Sequence, residues 1–468
     1  MTNCSGILRP VRQANWRQLI TLLIVAMTIL AGCGGGDDVS VSATVQDKGP
    51  IFRSLDISLS TASAVDVEYW SPGGPRLRVS SSDNAVSHTL ALPRLRAEST
   101  YQYRVGLRTS AGSTIWVHAG TFTTAQLPDD LRAITFSPSG TATQPLVFLS
   151  VRSTFNGGVI VDTQGHIVWY GRTTAPQGAA QRANGNWVVL TNSLTEFNSL
   201  GEVVSTLPST SLPAGHGMHH GVIATPANTL LFLTLDPRVF NGVTIQGEEI
   251  WEWDPQTNAL DRRWRAFDFL DPTVDIGPRS VPNDWFHANH VSVGPRGNTL
   301  VSFHFLDQVI SIAPGFGSIE WRLGGVGSTY TVTLDQVTSG QHSAREVAPN
   351  HVLLFDNGYA RADGSHYSRA LELALDPATH TVNTAWQYRP NPDIWATIIS
   401  SARRVSNGNT VVTFGTPAGL VGATGPVSVH EVSASSALLW HMDIGLPAGS
   451  SVFQGDPIQS IGGETEVP

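Results

Sequence analysis

The chain has 468 residues, of which 41% are hydrophobic, and a formal net charge of −9 at pH 7. This length favours two or three domains over one small core. Only 14% of the residues are charged, and the 45 glycines and 28 prolines argue against long exposed helices and favour many short strands joined by turns. The acidic balance and the lack of a basic patch argue against a nucleic acid partner.

The first 33 residues have the pattern of a bacterial lipoprotein signal peptide. Three arginines precede an apolar run at 19–31, which is shorter than the roughly 20 residues of a membrane-spanning helix. The run leads into a segment that resembles a lipobox, which ends at Cys33, the residue that would be lipidated. Gly34 follows, as in lipoproteins sent to the outer membrane. We therefore predict a signal peptide at 1–33 and a lipid anchor in the bacterial cell envelope, on the periplasmic face of the outer membrane.

A polar, glycine-rich segment at 34–50 predicts a flexible tether behind this anchor. Cys4 and Cys33 are the only cysteines of the sequence. Since the first would be removed and the second lipidated, the mature chain is expected to be stable without a disulfide.

A first folded domain is predicted at 51–126. Residues 99–108 alternate polar and apolar side chains with a period of two, as in a strand that is buried on one face. The domain resembles a fibronectin type III β-sandwich, and Tyr101 lies where such sandwiches have a corner tyrosine. Nothing in it indicates catalysis. We expect a spacer, a dimerisation arm in a possible homodimer, or a support for a lid.

The remainder, residues 131–468, contains a loose repeat. A tight turn followed by an apolar strand recurs at 184–190, 226–231, 296–301, 349–354 and 407–412. Strands that end in tryptophan occur at 167–169, 262–264, 319–321, 384–386 and 438–440. With an opening strand near 145–150, these units of about 40–70 residues predict an all-β, six-bladed β-propeller. A parallel β-helix is the alternative, but its repeats are shorter and more regular.

Seven of the fifteen histidines fall in or beside the turns and loops of this repeat: His216, His219, His220, His287, His290, His304 and His342. Propellers bind ligands where the inner ends of several blades converge, so we expect several of these imidazoles to share one pocket. With a pKa near about 6.5, an imidazole acts at neutral pH as nucleophile, acid, base or metal ligand.

A zinc site is one alternative for so many histidines, because three histidines and a water form a common catalytic shell. No His-x-His or His-x-x-x-His pair lies on one regular element, however, and the i, i+3 pair of His287 and His290 falls in a predicted loop. We therefore predict no metal.

Several motifs in order along the chain resemble the arylsulfotransferase family, the bacterial aryl-sulfate sulfotransferases. Segment 284–289 reads Asp-Trp-Phe-His-Ala-Asn, similar to the family's Asp-Trp-x-His-x-Asn. Segment 319–325 is similar to its Trp-x-Leu-Gly-Gly blade end. Segments 341–342, 355–358 and 368–370 are similar to its Gln-His, Phe-Asp-Asn-Gly and Ser-Arg-Ala motifs. The resemblance covers most of the second domain and implies a six-bladed propeller with an N-terminal β-sandwich.

The resemblance also implies an activity, the transfer of a sulfuryl group from an aryl sulfate donor to a phenolic acceptor, with no nucleotide sulfate and no cofactor. His342, at the Gln-His position, would be the nucleophile that carries the group. His220 and His287 would bind the sulfuryl oxygens or move protons. Asn289 would orient His287 or donate to an oxygen.

Two positions depart from the family pattern. Where the family has Ser-x-Arg, this chain has Ser-Phe-His at 302–304, and a histidine offers at most one conditional charge and one well-aimed donor. Either His304 binds substrate in this role at lower pH, or Arg345 or Arg403 compensates, or the substrate has changed or the activity is lost. In addition, Gly221 follows His220 where the family usually has an acidic residue that would hold the tautomer of that imidazole.

A non-catalytic, lipid-anchored propeller that scaffolds partners at the envelope is the alternative function. Histidines in turns often only cap strands, and we expect this of His216, His219, His290, His351, His366 and His430. The tryptophans are expected to pack in the core, although Trp285 or Phe286 would also suit stacking on an aryl substrate.

Overall fold

The predicted all-β fold is confirmed in the computed structural model, which describes residues 39–467. Besides strands, this part contains the short helix α1 (Asp129–Arg132) and 3-10 helices at Ser209–Ser211, Ala266–Asp268 and Leu420–Gly422. None of its helices is long and apolar enough to span a membrane. The predicted signal peptide and Cys33 lie outside the described residues, so the lipid anchor stays a prediction.

Two antiparallel sheets hold the first seven strands. These are β1 (Val41–Gly49), β2 (Phe52–Ser63), β3 (Val65–Trp70), β4 (Arg76–Ser80), β5 (Ala85–Leu92), β6 (Thr100–Arg108) and β7 (Thr114–Thr123). One sheet has the order β1-β2-β5, and the other contains β4-β3-β6-β7. The strand predicted at 99–108 is β6, and its burial alternates over the first four residues.

The predicted tether at 34–50 was too long. Strand β1 occupies Val41–Gly49 and pairs antiparallel with β2, with Val41 opposite Leu59 and Val45 opposite Leu55. The glycine-rich composition stops at Gly36, and the valines that follow favour an extended, half-buried strand.

Tyr101 in β6 forms the contact expected of a corner tyrosine. Its side chain is buried, its hydroxyl accepts a hydrogen bond from Arg96 N at 2.8 Å, and its ring stacks on Phe122 with centroids 5.2 Å apart. The relation to fibronectin type III domains remains a prediction from the sequence.

Six further sheets follow along the chain. Their strands are β8 (Thr135–Gly140), β9 (Leu146–Arg152), β10 (Asn156–Asp162), β11 (Ile167–Arg172), β12 (Ala179–Gln181), β13 (Trp187–Leu190), β14 (Ser193–Phe197), β15 (Val203–Pro208), β16 (Met218–Ala224), β17 (Leu230–Phe240), β18 (Val243–Asp254), β19 (Ala259–Arg265), β20 (Ala288–Val293), β21 (Thr299–Phe303), β22 (Gln308–Ile312), β23 (Ile319–Leu323), β24 (His342–Ala348), β25 (His351–Asp356), β26 (Arg369–Asp376), β27 (Thr381–Tyr388), β28 (Ser401–Arg404), β29 (Thr410–Phe414), β30 (Ser428–Val432), β31 (Leu438–Gly445) and β32 (Ser451–Ile458). A last strand, β33 (Thr465–Val467), follows them.

The sheets are antiparallel and mostly consecutive in sequence. Their orders are β11-β10-β9-β32, β12-β13-β14-β15, β16-β17-β18-β19, β20-β21-β22-β23, β24-β25-β26-β27 and β28-β29-β30-β31-β8. Each of the five predicted turns joins the first two strands of one of these sheets, and each predicted tryptophan strand lies at or next to the opposite edge. Four of those tryptophans are buried in the hydrophobic cores, namely Trp169, Trp264, Trp321 and Trp440.

We call β12, β16, β20, β24, β28 and β32 the lining strands. Polar contacts connect several of them in succession. Ser292 Oγ in β20 donates to Ala344 O in β24, and Ser401 Oγ in β28 donates to Gly455 O in β32. Gln454 in β32 in turn donates through Nε2 to Ala179 O in β12 at 3.0 Å. The C-terminal β32 also pairs with β9 and thereby completes the first of the six sheets.

The predicted domain boundary at residue 131 is crossed by the end of the chain. Strand β33 does not join the six sheets but pairs antiparallel with β4, so that Glu466 lies opposite Leu77. Arg94 Nη2 is 2.8 Å from Glu466 Oε1 in the same region. The N-terminal sheets are therefore completed by residues from the far end of the sequence.

Candidate active site

All six lining strands begin at one cavity of about 680 Å³. Each contributes a cavity residue from its first residues or from the loop just before it: Gln177 (β12), His220 (β16), His287 (β20), His342 (β24), Ile399 (β28) and Phe453 (β32). Segments far apart in sequence thereby meet around a single space.

Four imidazoles form a row along this cavity. The ring centroids of His220 and His287 are 4.7 Å apart, and those of His287 and His304 are 5.3 Å apart. His304 and His342 follow at 5.3 Å. The three histidines predicted to be catalytic, and the one at the departure from the family pattern, thus lie side by side.

The backbone is left-handed at two of these histidines. The φ angle is +51° at both His220 and His287, a conformation that costs a non-glycine residue about 1–3 kcal/mol. His220 lies within an irregular pairing, because the β16–β17 register shifts after His219, and His287 directly precedes β20, whose register with β21 shifts after Ala288. Such irregularities re-aim side chains, and here both rings face the cavity.

His342 has its proton held on one nitrogen. Nδ1 lies 2.8 Å from Asn357 Oδ1 and 3.0 Å from Gly340 O, and both oxygens are acceptors. The Nδ1–H therefore donates and the lone pair is on Nε2, which accepts from Ile399 N at 3.2 Å. Burial, opposed in part by the bond to Asn357, lowers the pKa of His342 to about 4. The ring is thus neutral at neutral pH.

His304 is held in the same tautomer by the same carbonyl. Its Nδ1–H donates to Gly340 O at 3.0 Å, and its ring is buried. Burial, together with His342 and His287, lowers the pKa of His304 well below its usual range. His304 therefore carries no charge at neutral pH and presents the lone pair of Nε2.

His287 forms a dyad with a carboxylate. Its Nδ1 lies 2.5 Å from Asp284 Oδ2, a charge-assisted contact that fixes the ring orientation. Phe305 stacks on the other side of the imidazole with centroids 4.6 Å apart. Since Nδ1 faces the carboxylate, Nε2 is the nitrogen left to act in the cavity.

His220 has another histidine behind it. His220 Nδ1 lies 2.9 Å from His219 Nδ1, and His219 Nε2 lies 2.8 Å from Glu248 Oε2. The second distance is that of an ion pair, without the alignment of a hydrogen bond. Burial, together with His287 and His219, lowers the pKa of His220 well below its usual range.

The cavity also contains a guanidinium, that of Arg279, which none of the sequence motifs indicated. Arg279 lines it, donates to His304 O and pairs with Asp307. Its guanidinium carbon is 5.3 Å from the centre of the Tyr359 ring, which also lines the cavity. A permanent positive charge therefore stands beside the histidine row.

Residues 137–439, more than half of the chain, match the arylsulfotransferase (ASST) family. The chain belongs to this family. The resemblance read from the sequence motifs is thereby confirmed. Membership supports aryl sulfotransferase function in general and implies an aryl sulfate donor and a phenol acceptor.

Other comparisons are more distant. No curated protein matches the chain. A protein of unknown function from Bacteroides caccae is 14% identical with a TM-score of 0.47, covering 68% of this chain and 100% of that one. A catalytically inactive virginiamycin B lyase from Staphylococcus aureus with quinupristin is 9% identical (TM-score 0.37; 66% of this chain, 99% of that one). Regucalcin, a calcium-binding protein from Agrobacterium tumefaciens, is 10% identical (TM-score 0.37; 70% and 94%). Likenesses this low carry no inference.

Three predicted substrate-binding residues of this arylsulfotransferase family member are not among the residues that line the cavity. Asn289 is buried and donates to Gln341 O at 2.7 Å, so it holds the residue before His342 rather than the ring of His287. Arg403 pairs with Asp456 and donates to Ser343 Oγ. Arg345 Nε is buried without a hydrogen-bond partner among the described residues.

Aromatic residues of the cavity also differ from those predicted to stack on the substrate. Phe286 is fully buried in a hydrophobic core, and Trp285 donates through Nε1 to Asp275 O at 3.1 Å. The aromatic rings that line the cavity are Phe305, Tyr359 and Phe453. Phe305 immediately follows His304, so its place beside the motif was visible in the sequence.

The remaining partners were missed for different reasons. Asp284 precedes His287 by three residues inside a quoted motif, which is a usable sign. Asn357 lies inside the motif segment 355–358, for which the sequence indicates no catalytic role. Glu248 and Arg279 stand outside every motif, and only the pairing of strands and the course of the loop before β20 bring them to the histidines.

Within residues 39–467, one group has three possible metal ligands with atoms within 4.8 Å of one another, namely His216, Asp236 and Glu249. Arg265 Nε lies 3.1 Å from Asp236 and 3.0 Å from Glu249, and Arg238 and Arg262 pair with the same carboxylates. These arginines already neutralise the negative charge. The group is therefore an ion-pair network beside β16, the strand that carries His220, and its carboxylates already have cationic partners.

A larger cavity of about 830 Å³ lies between the N-terminal sheets and the C-terminal segment. It contains Arg94 and Arg96, and no histidine is among its lining residues. Arg96 Nη2 is 2.7 Å from Asp162, and Arg94 Nη2 is 2.8 Å from Glu466. Both guanidinium groups are therefore paired with carboxylates.

Proposed function

We propose that this chain transfers a sulfuryl group from a phenolic sulfate ester to a phenolic acceptor through a covalent intermediate on His342. One observation carries the proposal: four imidazoles line a single cavity at the start of all six lining strands, in a member of the arylsulfotransferase family. The finer steps below rest on the contacts of those rings.

His342 is the nucleophile because its Nε2 carries a lone pair while the Nδ1 proton is held by Asn357 and Gly340. That lone pair accepts a 3.2 Å bond from Ile399 N at rest, and this bond is given up when Nε2 attacks. Nε2 attacks the sulfur of the ester, an N–S bond forms, and the S–O bond to the phenol breaks. The phenolate leaves and takes a proton from a neighbouring imidazole. The oxygen of the acceptor phenol then attacks the sulfur, and the electrons of the N–S bond return to Nε2.

Proton transfer falls to His287 and His220. Asp284 holds His287 so that its Nε2 accepts or donates a proton in the cavity, and it stabilises the imidazolium that forms. His220 turns its remaining nitrogen, Nε2, toward the same space. Both imidazoles are thus placed to exchange a proton with a phenol oxygen in the cavity.

Arg279 takes the place of the family's arginine. Its permanent charge suits the sulfuryl oxygens, and its guanidinium already bonds the backbone of residue 304. His304 is neutral and presents a lone pair, so it suits a phenol hydroxyl rather than an anionic oxygen. This assignment replaces the expectation that His304 binds the sulfuryl group as a cation.

The six sheets are best explained as the blades of a six-bladed propeller, because the lining strands share one end and β32 completes the first sheet. The fibronectin-like sandwich, the lipid anchor and the location at the outer membrane are proposals that rest on the sequence pattern. A dimerisation role for the N-terminal sheets is a further proposal of the same kind.

The test uses the purified full chain with 4-nitrophenyl sulfate and a phenol. We expect coloured phenolate to be released and the peptide that contains His342 to gain the mass of one SO₃ group. His342→Ala should abolish both, whereas His351→Ala, a histidine paired with Glu372 away from the cavity, should change neither. No turnover across donors and no gain in mass on His342 would leave the lipid-anchored scaffold as the function.

A further inference from the structure

A line of three side chains runs from a buried carboxylate to the cavity. Glu248 in β18 is buried, and its Oε2 lies 2.8 Å from His219 Nε2. His219 Nδ1 lies 2.9 Å from His220 Nδ1. His220 lines the cavity, and its Nε2 makes no hydrogen bond to any described residue. His220 Nε2, which faces the cavity, is thus the end of the line opposite Glu248.

Two nitrogens that face each other at 2.9 Å must share one proton. If His219 is a cation, its Nδ1–H donates to His220 Nδ1, and the proton of neutral His220 is on Nε2, in the cavity. If His219 is neutral with its proton on Nε2, it accepts from His220 Nδ1–H, and His220 Nε2 presents a lone pair. The position of one proton therefore decides whether the cavity meets an acid or a base.

The neighbouring position offers no side chain that could hold this tautomer. Residue 221 is a glycine, and a Cβ atom there would lie 2.9 Å from Leu233 Cδ1 and 3.1 Å from Val291 N, a tight fit against β17 and β20. His220 is instead held by Gln177 Oε1, which accepts from its backbone N–H, and by His219 at its ring. The residues that set the tautomer of His220 are therefore His219 and, through it, Glu248 in β18.

We propose that Glu248 and His219 are positioning residues that act through His220 and convert it from acid to base between the two halves of the reaction. This inference rests on the proposed sulfuryl transfer. In the first half, His220 Nε2–H passes its proton to the leaving phenolate, and His219 Nδ1–H passes its proton to His220 Nδ1. In the second half, the acceptor phenol gives its proton to His220 Nε2, and His220 Nδ1–H returns its proton to His219. Every proton is restored after one turnover.

The surroundings favour the acid form at rest. Burial opposes a charge on His219, but Glu248 and Asp284 outweigh it and raise the pKa of His219. His220 faces His219, His287, His304 and His342, which with burial keep it neutral. Glu248 thus stabilises a cation on His219, one ring away from the cavity.

The test compares two donors in Glu248→Gln. A glutamine keeps an oxygen for Ala288 N, which donates to Glu248 Oε1 at 2.8 Å, but removes the charge. An unsubstituted phenolate is a basic leaving group that needs a proton, whereas 4-nitrophenolate leaves without one. We expect kcat/KM for phenyl sulfate to fall about 10²-fold and that for 4-nitrophenyl sulfate to change by less than about threefold. Equal losses for both donors would overturn the proposal, because a merely structural role affects both.

Glu252→Gln is the matched control, since Glu252 lies on the same strand four residues on and bonds Thr229. It should leave both donors unchanged. His219→Asn should repeat the donor-dependent loss.

The wild-type chain provides a test that needs no variant: kcat/KM for phenyl sulfate should fall at alkaline pH as His219 loses its proton, without such a fall for 4-nitrophenyl sulfate. Identical alkaline limbs would overturn the relay. The mass gain on His342 tests the sulfuryl transfer separately, so failure of the relay is distinguishable from failure of the proposed function.

Discussion

Two cavities in this molecule differ in how their polar groups are paired. In the larger one, of about 830 Å³, Arg94 and Arg96 are paired with carboxylates. In the smaller one, of about 680 Å³, the Nε2 atoms of His220, His287 and His304 bond no described residue. Each of those rings is nevertheless fixed through Nδ1 by a partner behind it.

This difference indicates that size is a poor guide to the reactive cavity here. Paired charges have little left to offer a ligand, while a ring that is held at one nitrogen and free at the other is oriented for chemistry. The first cavity is therefore interpreted as an interface between parts of the chain and the second as the reaction site. Matched substitutions of an arginine and of an amide in the two cavities test this difference.

Arginine substitutions should give the largest contrast. Arg279→Met removes the permanent charge beside the histidine row and should lower kcat/KM for 4-nitrophenyl sulfate about 10²–10³-fold. Arg96→Met in the larger cavity should change it less than about twofold, because that guanidinium pairs with Asp162. Adding His304→Arg to Arg279→Met should recover part of the loss. An Arg279→Met enzyme with full activity would remove Arg279 from the site.

Buried amides provide the next comparison. Asn357→Leu removes the nearer of the two acceptors that hold the Nδ1 proton of His342, and we expect kcat to fall about 10²-fold while the chain stays folded by circular dichroism. Gln144→Leu, a buried amide of the larger cavity, should leave kcat unchanged. Equal effects of the two substitutions would show that the loss reports on folding rather than on the tautomer.

The pH profile tests the state of the nucleophile. His342 attacks only when neutral, and burial lowers its pKa to about 4, so the neutral form persists down to that pH. We expect kcat/KM for 4-nitrophenyl sulfate to stay level from pH 8 to about 5 and to fall about tenfold per pH unit below about 4. A fall that begins near about pH 6.5, the ordinary value of an imidazole, would contradict this environment for His342.

Stability should show the smallest effect. Arg345 follows His342 by three residues, and its Nε is buried without a partner among the described residues. Burial, reinforced by Arg403, lowers the pKa of Arg345 to about 9, so the fold disfavours a charge that is still present at neutral pH. Arg345→Met should raise the free energy of unfolding by about 1–2 kcal/mol in urea at pH 7.

The gain in the free energy of unfolding from Arg345→Met should depend on pH. A basic group whose pKa is lower in the folded state destabilises the fold at pH values below that pKa. For Arg345 this destabilisation decreases as the pH rises above about 9. The advantage of Arg345→Met over the wild type should therefore shrink at alkaline pH. An advantage that does not depend on pH would indicate better packing instead.

The repeat of turns and strands was predictable because it depends on local chemistry. The Gly-Asn turns at 184–187 and 407–410 each lead from a lining strand into its neighbour, as their sequence indicated. Alternation of side chains marked β6 in the same way. By contrast, β1 was assigned to a tether and β33 to the wrong set of sheets, because pairing with a distant strand leaves no local mark.

Family motifs pointed to His287 and His342 and also contain their partners Asp284 and Asn357, but the motifs alone did not indicate that these residues contact the two rings. The sequence by itself determined an all-β chain, the family, and the histidines that belong together, since period-two alternation, turn residues and motif order are all local properties. Only the tertiary structure decided that Glu248 stands behind His219, that Arg279 lines the cavity beside His304, and that Arg345 lies outside the cavity lining. Those relations depend on strand register, bulges and left-handed residues, which join segments that share no sequence neighbourhood.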